Sequence, residues 1–90
     1  MDRERLETTL AREFDADQGH CRVVARQATD LADSGKLERE YDIEPSVEVV
    51  VSNLQDAPDD TTLRERWNWW MGSLSVAGEG YERFAVRLLD

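Results

Sequence analysis

The segment from residue 60 to residue 76 constrains the fold most, because it joins a helix start signal to large apolar side chains at helical spacing. Thr62 and Glu65 stand three residues apart, as in a capping box, at the start of the apolar pattern. Five side chains share one helical face: Leu63, Trp67, Trp70, Met71 and Leu74. Since a helical aromatic stripe is normally a packing surface, we predict a helix here whose tryptophan-bearing face lies in the core.

Two earlier segments also show helical spacing. Residues 3–14 carry two leucines and a phenylalanine four residues apart, and residues 21–32 carry small and branched apolar side chains at i, i+3, i+4 and i+7. Gly35 supplies a stop signal after the second pattern. The residues 15–19 separate the two patterns, so we predict two helices, with one long helix through the break as the alternative.

Two segments, residues 46–53 and residues 81–89, each fit both a helix and a strand. The first is rich in β-branched valine, yet the apolar positions from Val47 to Leu54 also fall at i, i+3, i+4 and i+7. Two strands alone would form only a marginal sheet. We therefore predict a mostly α fold, a small bundle of three to five helices. The alternative is an α+β fold with a short two-stranded element from these two segments, and we interpret residues 36–44 as a connection.

The chain is short and strongly acidic. Residues 1–90 suit a single compact domain, because so small a core cannot be divided between two folds. Asp and Glu total 20 against 11 basic residues, for a net charge of -9, and Lys36 is the only lysine. Such excess charge repels itself, but molar salt screens it over about 3 Å. We expect adaptation to high salt, with recognition of a basic partner as the other interpretation, and we predict no nucleic-acid binding.

The cysteine count and the apolar runs bear on the compartment. Cys21 is the only cysteine, which is typical of a reducing interior. The residues after Met1 show no signal-peptide pattern, and no apolar run exceeds three residues. We therefore expect a cytoplasmic protein with no membrane partner.

Catalytic patterns are weak in this sequence. The only histidine, His20, is the sequence neighbour of Cys21, so on a helix the two side chains diverge and do not form a nucleophilic pair. On a continuous helix Glu13, Asp17 and His20 would share a face suited to a transition metal. With 20 acidic residues in the chain, carboxylates fall near one histidine by chance. We predict no catalytic residue, no cofactor and no metal.

Trp69 stands apart from the other two tryptophans. It lies about 100° from Trp70 on the helical wheel, away from the predicted core face. Exposed tryptophan is typical of interface anchors. We predict a non-enzymatic interaction module that buries Trp69, Tyr81 and Phe84 against a protein partner or a second copy. The alternative is a small-ligand domain or minor enzyme with a pocket lined by the same aromatic residues.

The aromatic sequence also carries a resemblance. Residues 66–74, Arg-Trp-Asn-Trp-Trp-Met-Gly-Ser-Leu, followed by residues 80–84, Gly-Tyr-Glu-Arg-Phe, resemble small proteins of unknown function from halophilic archaea. The resemblance implies a high-salt cytoplasm as the setting. It carries over no activity and no functional residue.

Overall fold

A computed structural model describes residues 1–88 and places five α-helices around one buried core. The helices are α1 (Arg3–Phe14), α2 (Gln18–Ser34), α3 (Lys36–Tyr41), α4 (Val47–Gln55) and α5 (Leu63–Ser75), followed by a 3₁₀ turn at Tyr81–Phe84. Residues 1–88 contain no β-strand. The predicted mostly α bundle is therefore confirmed, and the two-stranded alternative does not form within these residues. Leu89, which the second ambiguous segment included, lies outside the described residues.

The helix α5 is central to the packing. It contacts α2, α4 and the 3₁₀ turn, while α1 packs against α2 and α4. All five side chains of its predicted core face are buried, with exposed fractions of 6% or less. The indole rings of Trp67 and Trp70 meet edge to face, with centroids 5.4 Å apart. Such a ring pair adds about 0.5 to 1.5 kcal/mol to the stability that burial provides.

The predicted break between the first two helices is confirmed. Asp15 ends α1 in a left-handed conformation, with φ of 49°. Asp17 then begins α2, because its carboxylate accepts a hydrogen bond from the main-chain N–H of His20 at 2.9 Å. This interaction satisfies one of the N–H groups that have no partner inside the helix. The side chains before and after the break consequently lie on separate helices.

The ambiguous segment near residue 47 is a helix. Ser46 caps α4 by accepting a hydrogen bond from the N–H of Val49. The four apolar residues at helical spacing are all buried: Val47, Val50, Val51 and Leu54. Valine loses less than about 1 kcal/mol relative to alanine in a helix, whereas burying its side chain contributes about 1.5 to 3 kcal/mol. Burial at helical spacing therefore outweighs the strand propensity of valine.

The interpretation of residues 36–44 as a connection is corrected for its first part, which forms α3. Gly35 adopts a left-handed conformation, with φ of 69°, that ends α2 and turns the chain into α3. Leu37 is fully buried, and Lys36 pairs with Glu40 one helical turn later at 2.5 Å. One buried leucine thus orders a six-residue helix within a hydrophilic stretch.

None of the helices within residues 1–88 is long and apolar enough to cross a bilayer. The longest, α2, has 17 residues and includes charged side chains on its outer face.

Candidate functional site

The three tryptophans of α5 divide between the core and the surface. Trp67 and Trp70 are 0% and 4% exposed, whereas Trp69 is 40% exposed. The other two residues of the predicted contact set are buried, since Tyr81 and Phe84 are only 0% and 5% exposed. Both pack inside the chain, since the 3₁₀ turn that carries them folds back onto α5 and α2. Trp69 is therefore the predicted contact residue whose side chain is available at the surface.

Trp69 belongs to an exposed stripe along α5. Residues 69, 72, 73 and 76 share one helical face because they follow i, i+3, i+4 and i+7 spacing. All four are exposed, and Val76 reaches 88% exposure just after the helix end. A methyl group added to Gly72 would meet no atom within 4 Å, so the surface beside Trp69 is open. These four residues, Trp69, Gly72, Ser73 and Val76, are called the Trp69 stripe below.

A neighbouring flank of α5 holds residues 84–87, called the carboxy-terminal segment below. The Trp67 indole Nε1 donates a hydrogen bond to the carbonyl of Phe84 at 2.7 Å. The Asn68 side chain makes two bonds with Val86, donating to its carbonyl and accepting from its N–H, both at 2.8 Å. Arg64 Nη1 donates to the carbonyl of Arg87 at 2.9 Å. The side chains of α5 therefore bind the main chain of the last residue of the 3₁₀ turn and of the residues that follow it.

Sequence reasoning missed Asn68 as a functional position. An amide in the middle of a helix lowers helix propensity and finds no capping role there. Asn68 lies in the interior of α5, between two tryptophans, where local structure does not call for it. An amide that the helix itself does not favour was the sequence signal for a contact outside the helix. The partner of Asn68, Val86, lies 18 residues further along the chain.

Tyr81, the first residue of the 3₁₀ turn, packs against α3. The Lys36 ammonium lies 4.8 Å above the Tyr81 ring, and the same ammonium pairs with Glu40. Burial, followed by the negative charge of Glu40, raises the pKa of Tyr81 to about 12. A methyl group on Gly78 would lie 2.5 Å from Glu40 Oε1 and 2.8 Å from Tyr81 Cε2. Only glycine therefore fits at residue 78 without displacing these neighbours.

The residues weighed as a metal site lie around the α1–α2 break. Because α1 and α2 are separate, Glu13 does not share a helix with Asp17 and His20. His20 Nε2 lies 3.6 Å from Asp17 Oδ2, and the N–H of His20 is the main reason that the pKa of Asp17 is lowered. Within residues 1–88 no group of three or more His, Cys, Asp or Glu side chains is arranged to hold a metal ion. Asp17 acts there as a helix cap.

Cys21 is 1% exposed, and burial raises the pKa of its thiol. A buried thiol with a raised pKa is a poor nucleophile. Its side chain belongs to the core cluster, as the helical spacing of residues 21–32 predicts.

A surface cleft between α1 and α4 differs from the predicted aromatic pocket. Polar side chains supply most of its wall, together with Val47 and Val51. Arg5 and Glu48 form an ion pair across it, and Gln55 donates to Glu13 at 3.2 Å. The aromatic residues expected to line a ligand pocket do not line this cleft.

Residues 1–75 match a family described as the WNWW domain, which covers all five helices and ends with α5. In one-letter code the family description spells residues 67–70, Trp-Asn-Trp-Trp. No curated protein and no solved structure matches the chain.

Proposed function

The chain belongs to the WNWW domain family, and we propose that it acts as a non-enzymatic protein-interaction module whose contact surface is the Trp69 stripe. One observation carries the proposal: α5 buries two of its three tryptophans and leaves Trp69 40% exposed. The part of an indole ring that stays in contact with water adds no hydrophobic stabilisation to the fold. Tryptophan is, however, enriched at the energetic centres of protein interfaces.

The surroundings of Trp69 suit a protein partner. Gly72 has no side chain, so the main chain of a partner helix or strand can approach closely beside the indole ring. Val76 extends the apolar area along the same face. The exposed polar residues Glu65 and Ser73 border this area, which gives the apolar centre and polar rim that interfaces share.

A ligand-binding or enzymatic function has less support. Tyr81 and Phe84, which would line the aromatic pocket, fill the core of the chain. Their burial leaves Trp69 as the exposed aromatic ring of the predicted set. Tyr81 and Phe84 contribute instead from inside, because the 3₁₀ turn that carries them packs against α5 and α2.

We further propose a high-salt cytoplasm as the setting for this interaction. The support is the net charge of -9 and the preference for arginine over lysine, with Lys36 the single lysine. In molar salt, charge steering acts over only about 3 Å. A partner would then be recognised mainly by burial of apolar surface, which is not a charge interaction and is not screened in this way.

The test compares the wild-type chain with Trp69→Ala and with a control, Ser52→Ala. Ser52 is exposed on α4, outside the Trp69 stripe. Each variant is used as bait in native high-salt extract, and its mass is measured by light scattering over a concentration series. We expect the wild-type chain and Ser52→Ala to retain the same defined partner or self-association, and Trp69→Ala to lose it. Equal binding by all three chains would refute the proposal.

A further inference from the structure

We propose that α5 is a receptor for a peptide segment, and that residues 81–87 are exchanged between two copies, so that residues 84–87 of one copy occupy α5 of the other in a segment-exchanged dimer. The inference concerns the flank of α5 that carries Asn68, and it goes beyond the interaction proposed for the Trp69 stripe. It stands whether or not the Trp69 stripe binds a partner.

The contacts that hold the carboxy-terminal segment do not depend on which copy supplies it. Four hydrogen bonds join α5 side chains to main-chain atoms of residues 84, 86 and 87. Phe84 and Val86 are buried, whereas Ala85 and Arg87 are exposed. Ala85 follows the 3₁₀ turn with extended angles, φ of -64° and ψ of 153°, and the buried side chains lie on either side of it. Binding through the main chain with pockets for alternate side chains is typical of peptide recognition. The same segment from another copy would form every one of these contacts.

The connection between α5 and the 3₁₀ turn has the features of a hinge. Residues 76–80 contain two glycines, and residues 76, 77, 79 and 80 are exposed. Val76 retains right-handed helical angles, and the N–H of Gly78 still bonds to the carbonyl of Leu74 at 3.0 Å. The chain reverses at Gly80, which has φ of 85°. A change of backbone angles at Gly80 would point residues 81–87 away from their own α5, and glycine makes that change readily.

A second copy is the occupant that the structure favours. This flank of α5 already binds residues 84–87 of its own chain. The same residues of a second copy would fit it equally well, so exchange requires no change in either surface. Asn68 and Trp69 are successive residues, about 100° apart around α5. An exchanged segment would therefore bring the second copy next to the Trp69 stripe. Gly72 leaves room there for the two α5 helices to approach.

The first test uses Gly80→Ala, with Glu79→Ala, a change in the same connection, as the matched control. At φ of 85° an alanine is strained, although its methyl group would make only ordinary contact, 3.6 Å from Lys36 Nζ. Exchange opens the turn and relieves that strain in both copies. We expect Gly80→Ala to lower the dimer dissociation constant at least about tenfold, measured by analytical ultracentrifugation in molar KCl. Glu79 is exposed beside Gly80 and does not have a positive φ, so Glu79→Ala adds no strain to the connection and should leave the constant unchanged.

The second test mixes two variants that are defective in different parts. Asn68→Ala keeps an intact segment but weakens α5 as a receptor, and Phe84→Ala keeps α5 but weakens the segment. In a mixed dimer, the intact segment of one copy reaches the intact α5 of the other. We expect mixed dimers, detected by native mass spectrometry, with a melting temperature above that of either variant alone.

Three results would overturn the inference. In the first, the Gly80→Ala chain stays monomeric over the whole concentration series. In the second, the mixture of Asn68→Ala and Phe84→Ala melts as the sum of its two components. In the third, Trp69→Ala abolishes the dimer, whereas Gly80→Ala leaves the dissociation constant unchanged. The third result would support the Trp69 stripe alone as the contact surface. Conversely, a Trp69→Ala, Gly80→Ala double variant that still dimerises supports segment exchange independently of the proposed function.

Discussion

Replacing Asn68 by alanine should cost about 1.5 kcal/mol of unfolding free energy. The change removes two hydrogen bonds to Val86, each 2.8 Å long and partly buried. A hydrogen bond of this kind contributes about 1 kcal/mol net, so the two together contribute about 2 kcal/mol. Alanine returns roughly 0.5 kcal/mol as the better helix former. The loss is large enough to measure, because a chain of 90 residues has a total stability of roughly 5 to 13 kcal/mol.

Urea denaturation in molar KCl, followed by circular dichroism and by tryptophan fluorescence, measures this loss. Hydrogen exchange adds a local readout. The N–H of Val86 donates to Asn68 Oδ1, so its protection should fall more than that of amides inside α5. The two measurements together separate local release of the carboxy-terminal segment from general weakening of the fold.

The matched control is Ser73→Ala, since Ser73 is exposed on α5 and its hydroxyl donates to the carbonyl of Trp69, not to the carboxy-terminal segment. We expect its stability to stay within about 0.5 kcal/mol of the wild-type value. If Asn68→Ala were as stable as Ser73→Ala and kept the Val86 amide protected, the Asn68 bonds would not be what holds the segment.

Three further predictions concern burial, pH and salt. Trp67→Ala should lower the unfolding free energy by about 3 to 5 kcal/mol, and Trp69→Ala by clearly less, because 40% of Trp69 is exposed to water in the folded chain. Urea denaturation measures both losses, and equal losses would contradict the observed burial. Because the pKa of Tyr81 is raised to about 12 from 10.0, its stabilising effect is complete below pH 10 and falls as the pH rises towards 12. The unfolding free energy lost over this range is roughly 2 to 3 kcal/mol. Denaturation at a series of pH values should show that Tyr81→Phe removes this loss, whereas the same dependence of stability on pH in the variant would mean that another group causes it. With a net charge of -9, the chain should be more stable in molar KCl than in dilute buffer; equal melting temperatures would instead favour recognition of a basic partner.

The parts of the fold that local signals specify were predictable from the sequence. The capping box at Thr62 and Glu65 marks the start of α5, and the structure shows both of its hydrogen bonds. The spacing that begins at Val47 indicated a helix but conflicted with the strand propensity of valine. Burial against the other helices decides that conflict, and burial is a property of the folded chain.

The parts that depend on distant partners were not predictable. The six residues of α3 are too few to give a periodic signal, and a buried Leu37 fixes them in place. Tyr81 and Phe84 read as surface aromatics because the groups that cover them, such as Lys36, lie far away in the sequence. The role of Asn68 likewise depends on a segment 18 residues later.

The position of the single lysine makes it a chemical reporter of this corner of the molecule. Lys36 is only 14% exposed and is held between Glu40 and Tyr81. Its ammonium must leave both groups before an acylating reagent can reach the amine. Because no other side chain carries a primary amine, the rate of acylation at Lys36 follows the opening of that one contact. A single mass increment on the peptide that contains residue 36 would then record how often the Lys36 ammonium leaves Glu40 and the Tyr81 ring.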